Sequence, residues 1–238
     1  MKGKDRLIVA LDVASMDEAL SLVDELKSEV GLFKVGLELF TNCGTRLLDE
    51  LKRLEAPVFF DGKFHDIPNT VSAASREIAK KGVEMFNVHA VGGGEMIRAA
   101  RKAADESAAA AGVKSPILLA VTVLTSMSQE VLSEELGIKE NVEAVVARYA
   151  SLAKAAGANG VVASAKEVKV IREVCGQDFL IVTPGIRPSW ASDDDQKRIV
   201  TPKQAVELGT DYVVVGRPIT KAANRKDAAK RVAEELNV

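Results

Sequence analysis

The sequence predicts a single-domain (β/α)8 barrel, a TIM barrel, running over residues 1–238. Three observations predict it. Eight short apolar runs, most of them rich in Val, Ile and Leu, recur from end to end with helix-length segments between them. Most of the runs are continuously apolar, the pattern of parallel strands buried on both faces. The chain has 238 residues, close to the about 250 that eight such units need, and no linker, low-complexity stretch or composition shift divides it. The alternative is an open doubly wound sheet. No Gly-x-Gly-x-x-Gly follows the first run, which counts against its dinucleotide-binding form.

Each element has its own justification. Leu7 to Leu11 reads as a buried strand ending at Asp12, and Ser15 can cap the next helix with Glu18 three residues on. Leu32 to Gly36 is the second strand, followed by a helix through Leu47, Leu48 and Leu51. Pro57 to Asp61 is the third, and a helix from Val71 to Lys81 stops at Gly82. Met85 to His89 is the fourth, followed by an Ala-rich helix from Met96 to Ala111 that ends at Gly112. Ile117 to Val123 is the fifth, with a helix from Val142 to Ala156. Gly160 to Ala163 is a short sixth, with a helix from Lys166 to Val174. Phe179 to Val182 and Tyr212 to Val215 are the last two strands, and a final helix runs from Asp227 to Leu236.

Composition narrows the function. A hydrophobic fraction of 47% fills a substantial core, and a net charge of -2 exerts no global pull toward nucleic acid or an anionic membrane. Aromatic residues for base stacking are scarce. Cys43 and Cys175 have neither Cys-x-x-Cys nor metal spacing and read as reduced thiols of a cytoplasmic protein. The charged start, Met1 to Asp5, leads into an apolar run too short for a secretory segment or a membrane span.

The stretch Phe59 to Thr70 is the most informative. Asp61 and Lys63 stand two residues apart at the end of an apolar strand, so they share a face, and Asp66 lies three residues further on. Three charges this close are costly in a core unless they pair or do chemistry. Barrel sites collect at the carboxyl ends of strands, and the polar residues fall there: Asp12, Lys34, Asp61, Lys63, Asn87, His89, Thr125, Ser126, Arg187, Gly216 and Arg217. Gly216-Arg217 offers an open backbone N–H beside a guanidinium, a phosphate grip of the kind barrels build after strands seven and eight. The loop after strand seven carries Arg187 at a Gly/Pro-rich base and a long polar body through Gln196, the composition of a mobile lid. His65 and His89 read as structural histidines, and no metal motif is present. A Schiff-base role for Lys63 is disfavoured by the flanking Asp, which stabilises the ammonium.

These residues resemble the orotidine 5'-phosphate decarboxylases of bacterial type. The matching marks are Leu11-Asp12, Lys34-Val35-Gly36, Asp61 to Thr70, Leu124-Thr125-Ser126, Pro184 to Pro188, Asp195-Gln196 and Gly216 to Ile219, in the family's order over nearly the whole chain. Asp-x-Lys-x-x-Asp alone marks a wider group of phosphate-binding barrels. The strand-seven loop with its Asp-Gln and the Leu-Thr-Ser element narrow it. Gly62 is a departure, standing where the family usually carries a larger apolar residue.

The resemblance implies a cofactor-free, metal-free lyase that converts orotidine 5'-phosphate to UMP and carbon dioxide, closing de novo UMP synthesis. It implies a homodimer of barrels with the sites at the interface, and no nucleic-acid or membrane partner. It implies that Lys63 donates the proton to C6, that Asp61 sits near the substrate carboxylate, and that Asp66 and Thr70 reach the partner's site. Lys34 joins the charge network and, with Asp12, contacts the ribose hydroxyls. Thr125 and Ser126 lie at the pyrimidine, and Arg187, Gln196, Gly216 and Arg217 hold the phosphate and close the lid. The nearest rival is a Mg²⁺-dependent relative such as a hexulose-phosphate synthase or ketogulonate-phosphate decarboxylase, which passes through an enediolate.

Overall fold

Eight parallel strands close on one another in chain order in a computed structural model that describes residues 1–191 and 200–238. They are β1 (Leu7–Ala10), β2 (Leu32–Val35), β3 (Val58–Phe64), β4 (Met85–His89), β5 (Ile117–Val121), β6 (Gly160–Val162), β7 (Leu180–Thr183) and β8 (Tyr212–Val215). Closure is made by β1, which pairs Ile8 with Leu32 of β2 on one side and with Val214 of β8 on the other. The described helices are α1 (Gly3–Arg6), α2 (Met16–Leu26), α3 (Leu37–Cys43), α4 (Arg46–Arg53), α5 (Pro68–Lys80), α6 (Gly93–Ala111), α7 (Val142–Ala155), α8 (Val168–Cys175), α9 (Pro202–Leu208), α10 (Arg217–Thr220) and α11 (Arg225–Glu235). The expected barrel is therefore the fold. None of these helices is long and apolar enough to cross a membrane.

Strand parity divides the core in two. Ile8, Ala10, Leu32, Phe59, Met85, Leu119, Val182 and Val214 fill the barrel interior. Their strand neighbours, among them Leu7, Val9, Phe33, Val35, Phe60, Phe86 and Val213, pack outward beneath the helices. Successive side chains point to opposite faces, so the next inward positions after Leu32, Phe59 and Met85 are Lys34, Asp61 and Asn87. The same alternation that builds the apolar interior thus carries three polar side chains to its upper rim.

Local signals set the helix ends. The Ser15 hydroxyl accepts from the Glu18 backbone N–H at 3.3 Å and caps α2. Asn141 caps α7 in the same way, accepting from Ala144 N–H at 2.8 Å. Gly112 ends α6 in the left-handed conformation. Where a helix through Leu47, Leu48 and Leu51 was expected, two helices meet. Gly44 takes a φ of 61° and stops α3, and α4 carries the three leucines inward. The short helices α9 and α10, each opening on a proline in its first turn, were not expected.

Candidate active site

Four charges of alternating sign run across the carboxyl ends of β1, β2 and β3. Lys34 Nζ lies 3.1 Å from Asp12 Oδ1 and 3.5 Å from Asp61 Oδ2, and Lys63 Nζ lies 2.7 Å from Asp61 Oδ1. Asp61 is at the centre and only 9% exposed. Burial opposes its ionisation, but Lys34, the hydrogen bond from Lys63 and a further one from Asn87 outweigh that and hold the carboxyl below its ordinary value. Asp12, at the outer end, is exposed to solvent.

Asp61 and Lys63 meet as expected, but not along an unbroken strand. The third strand was expected to end at Asp61; it continues to Phe64, with a register shift against β4 between Phe60 and Phe64. Lys63 takes a φ of 49°, one of two described non-glycine residues with positive φ. That left-handed conformation costs a non-glycine residue about 1–2 kcal/mol. At the shift, Asn87 of β4 stands in for a backbone partner: its Oδ1 accepts the Lys63 N–H at 2.7 Å. Its Nδ2 donates to Asp61 Oδ1, also at 2.7 Å. Asn87 is fully buried. Sequence reasoning noted it at the strand end without giving it a role; its inward parity after Met85 was the available signal.

The array opens into the barrel mouth. Lys34, Asp61 and Lys63 form one wall of a pocket of about 180 Å³, closed by Val121, Val123, Leu124, Thr125, Val162 and Pro184. Asp12 and Lys34 also face a hollow of about 240 Å³ shared with Arg187, Gly216 and Arg217. A third hollow, of about 430 Å³, joins Thr125 and Ser126 to Ser164, Lys166 and Arg187. The three hollows adjoin at Pro184, which lines each of them, so the fixed charges, an apolar wall and two arginines border one another. That suits a flat, partly polar ring held beside the charges and an anion held at the far end. A Cβ added to Gly216 would meet only ordinary contacts, 3.6 Å from Ala10 Cβ and 3.7 Å from Asp12 Oδ2. A hollow of about 250 Å³ at the opposite end of β3 and β4, lined by Lys52, Glu55, Lys81 and Glu84, contains none of these groups. Its Lys81 and Glu84 are paired with Asp49 and Lys114.

Two expected site residues stand apart from the array within one chain. Asp66 and Thr70 are exposed, and among the described residues no hydrogen bond ties either to the four charges. Asp66 Oδ1 instead accepts from Ile67 N–H at 2.6 Å. Gln196, with Asp195 and the body of the expected lid, lies outside the described residues. The two histidines are neighbours, with ring centroids 5.7 Å apart. Burial, then His65 and Lys63, push His89 below its ordinary value. Among the described residues no three His, Cys, Asp or Glu side chains are grouped as they would be to hold a metal ion.

Residues 5–232 match the profile of the orotidine 5'-phosphate decarboxylase / HUMPS family. The chain belongs to that family. The span reaches from ahead of β1 into α11 and includes every candidate site residue named above. Among relatives of this family, the orotidine 5'-phosphate decarboxylase of Heliobacterium modesticaldum is 53% identical over 99% of this chain and 97% of its own length. That of Syntrophomonas wolfei is 50% identical over 99% of each chain. The crystal structure of orotidine 5'-phosphate decarboxylase from Lactobacillus acidophilus superposes with a TM-score of 0.87 at 40% identity, covering 98% of this chain and 99% of that one.

Proposed function

We propose that this chain is an orotidine 5'-phosphate decarboxylase that forms UMP and carbon dioxide with no metal or cofactor, using Lys63 as the proton donor. The observation that carries the reading is the Asp12–Lys34–Asp61–Lys63 array at the mouth of a barrel whose far side presents Arg187 and Arg217. Heterolysis of the bond between C6 and its carboxylate releases carbon dioxide and leaves an electron pair at C6. No adjacent π system takes up that charge, so catalysis has to come from fixed charges. The Lys63 ammonium stabilises the carbanion where charge grows and then gives it a proton; the neutral amine regains one from solvent. Asp61 lies toward the leaving carboxylate and fixes the ammonium. Lys34 and Asp12 hold the ribose hydroxyls, and Thr125 and Ser126 face the pyrimidine.

Arg187, Gly216 and Arg217, with Gln196, bind the phosphate. Their distance from C6 makes the phosphate a handle, whose binding energy closes the site around the charges. The exposed positions of Asp66 and Thr70 support a homodimer in which each chain supplies these two residues to its partner's site. The barrel is one domain, and its free thiols, Cys43 and Cys175, suit a reducing cytoplasm.

The test is the loss of orotidine 5'-phosphate absorbance on adding purified protein in the presence of EDTA. Prompt loss supports the metal-free reading. No loss, with turnover of a sugar phosphate once Mg²⁺ is returned, would overturn it in favour of enediolate chemistry.

A further inference from the structure

We propose that Asn87 is the positioning residue of this site, a single buried amide that holds the backbone of Lys63 and the carboxylate of Asp61 in one frame. The inference rests on the functional reading above and deepens it. Lys63 reaches the pocket from a backbone that departs from the strand, with φ at 49° and the β3–β4 register shifted around it. A conformation of that kind persists where the surroundings over-determine it. Here the surrounding group is Asn87 Oδ1, which accepts the Lys63 N–H at 2.7 Å. The other half of the same amide donates to Asp61 Oδ1 at 2.7 Å, the oxygen that also holds Lys63 Nζ at 2.7 Å. The three groups close a ring from Lys63 N–H through the amide and the Asp61 carboxylate to the Lys63 ammonium.

The chemistry specifies asparagine. The position needs an acceptor toward a backbone N–H and a donor toward a carboxylate, rigidly spaced, and a primary amide on one methylene provides both. The reverse amide orientation would set a donor against a donor and an acceptor against a carboxylate, so the hydrogen bonds fix it. Asn87 is 0% exposed, and its β5 partner in the ladder is Leu119, so no water replaces either bond. The charged and titratable groups about position 87 are Asp61 and Lys63 on β3, Lys34 on β2, and His89 on β4 itself with His65 against it. Asn87 is buried and does not line the pocket; it acts through Lys63 and Asp61.

Two variants test this. Asn87→Leu removes both bonds while keeping the heavy-atom count and branching of the side chain. It is expected to lower kcat by about 10²-fold, as a misplaced proton donor does, while KM stays within about threefold, since the arginines that hold phosphate are untouched. Asn87→Asp keeps the acceptor for Lys63 N–H and loses the donor. Two carboxylates in contact do not both ionise, and the protonated form again donates to Asp61. Its kcat is therefore expected to recover toward low pH and fall as pH rises, a limb absent from the wild type.

Wild-type kcat for both variants, with no new limb, would overturn the inference. Asn87→Asp is nearly isosteric and decides the matter if Asn87→Leu does not fold. If the wild type leaves orotidine 5'-phosphate intact, the functional reading fails separately. Carboxyl-carbon NMR titration of Asp61 then still decides the positioning role: a midpoint that rises in Asn87→Leu supports it, and an unchanged one overturns it.

Discussion

Glu167 gives a prediction whose size follows from its surroundings. It closes the 3-10 turn Ala165–Glu167 ahead of α8 and is 8% exposed. Its Oε2 accepts the Ser164 N–H at 3.0 Å, and Ser164 caps the turn in return. Burial pushes its carboxyl from 4.5 to about 6, against the pull of that hydrogen bond and of Lys166 and with a small push from Glu143. An acid raised in the folded state is a liability once it ionises. The unfolded chain releases its proton first, from 4.5 upward, so folded stability is retained at low pH and lost as pH climbs to about 6. At about 1.4 kcal/mol per tenfold, the gap from 4.5 to about 6 makes that loss about 2 kcal/mol.

Glu167→Gln keeps an acceptor for the Ser164 N–H and does not titrate. Its stability relative to wild type is therefore expected to grow by about 2 kcal/mol between about pH 4.5 and 7 and to stay level above that. Urea unfolding of both proteins across this range measures the difference, in which the groups they share cancel. A difference that is flat with pH, or that turns against Gln as pH rises, would refute the argument.

Three kinetic predictions accompany it. Lys63→Ala should lower kcat on orotidine 5'-phosphate by at least about 10²–10³ while UMP affinity stays near normal; turnover close to wild type would remove Lys63 from the proton-donor role. Arg217→Ala should cost about 10–100-fold in kcat/KM on the phosphorylated substrate, the worth of a charged hydrogen bond, and little on the phosphate-free nucleoside; equal losses would make Arg217 structural. Inactive Lys63→Ala and Asp66→Ala chains, mixed and re-associated, should regain about one quarter of wild-type sites, because half of random dimers are hybrid and each hybrid has one intact site. Hybrid dimers proven by mass but inactive would argue against shared sites.

The barrel was legible in the sequence because parallel strands buried on both faces leave largely apolar runs, and eight of them recur from Leu7 to Val215, broken by Lys34 in the second and by Asn87 and His89 in the fourth. Lys34 and Asp61 were legible for the same reason, as inward positions two residues beyond Leu32 and Phe59. The meeting of Asp61 and Lys63 was anticipated from simple alternation, yet Lys63 reaches Asp61 from a left-handed backbone after a register shift. The extension of β3 to Phe64 could not be read, because a side chain on the neighbouring strand supplies the missing hydrogen bond and leaves no local mark in β3. Helices α9 and α10 are too short to show a period. Asp66 and Thr70 illustrate another boundary: they were marked out by motif, but the contribution to a second chain's site proposed for them would be a property of an assembly, with no periodicity to betray it.

Gly62 has a bearing on how such a site diverges. A Cβ there would fall 2.3 Å from Phe60 Cε1 and 2.8 Å from Cζ, and the Phe60 ring is itself held edge-on to Phe40, with centroids 4.7 Å apart. Positions 60 and 62 therefore share one volume, and only one of them can be large. The order of replacement is then constrained: a bulky residue enters at 62 only after the ring at 60 has shrunk or turned. Position 62 lies between Asp61 and Lys63, so any strain from a side chain there arises directly beside both charges. The ring of Phe60 is thus what restricts position 62 to glycine in this chain, and the spacing of Asp61 and Lys63 is tied through it to packing beneath the helices.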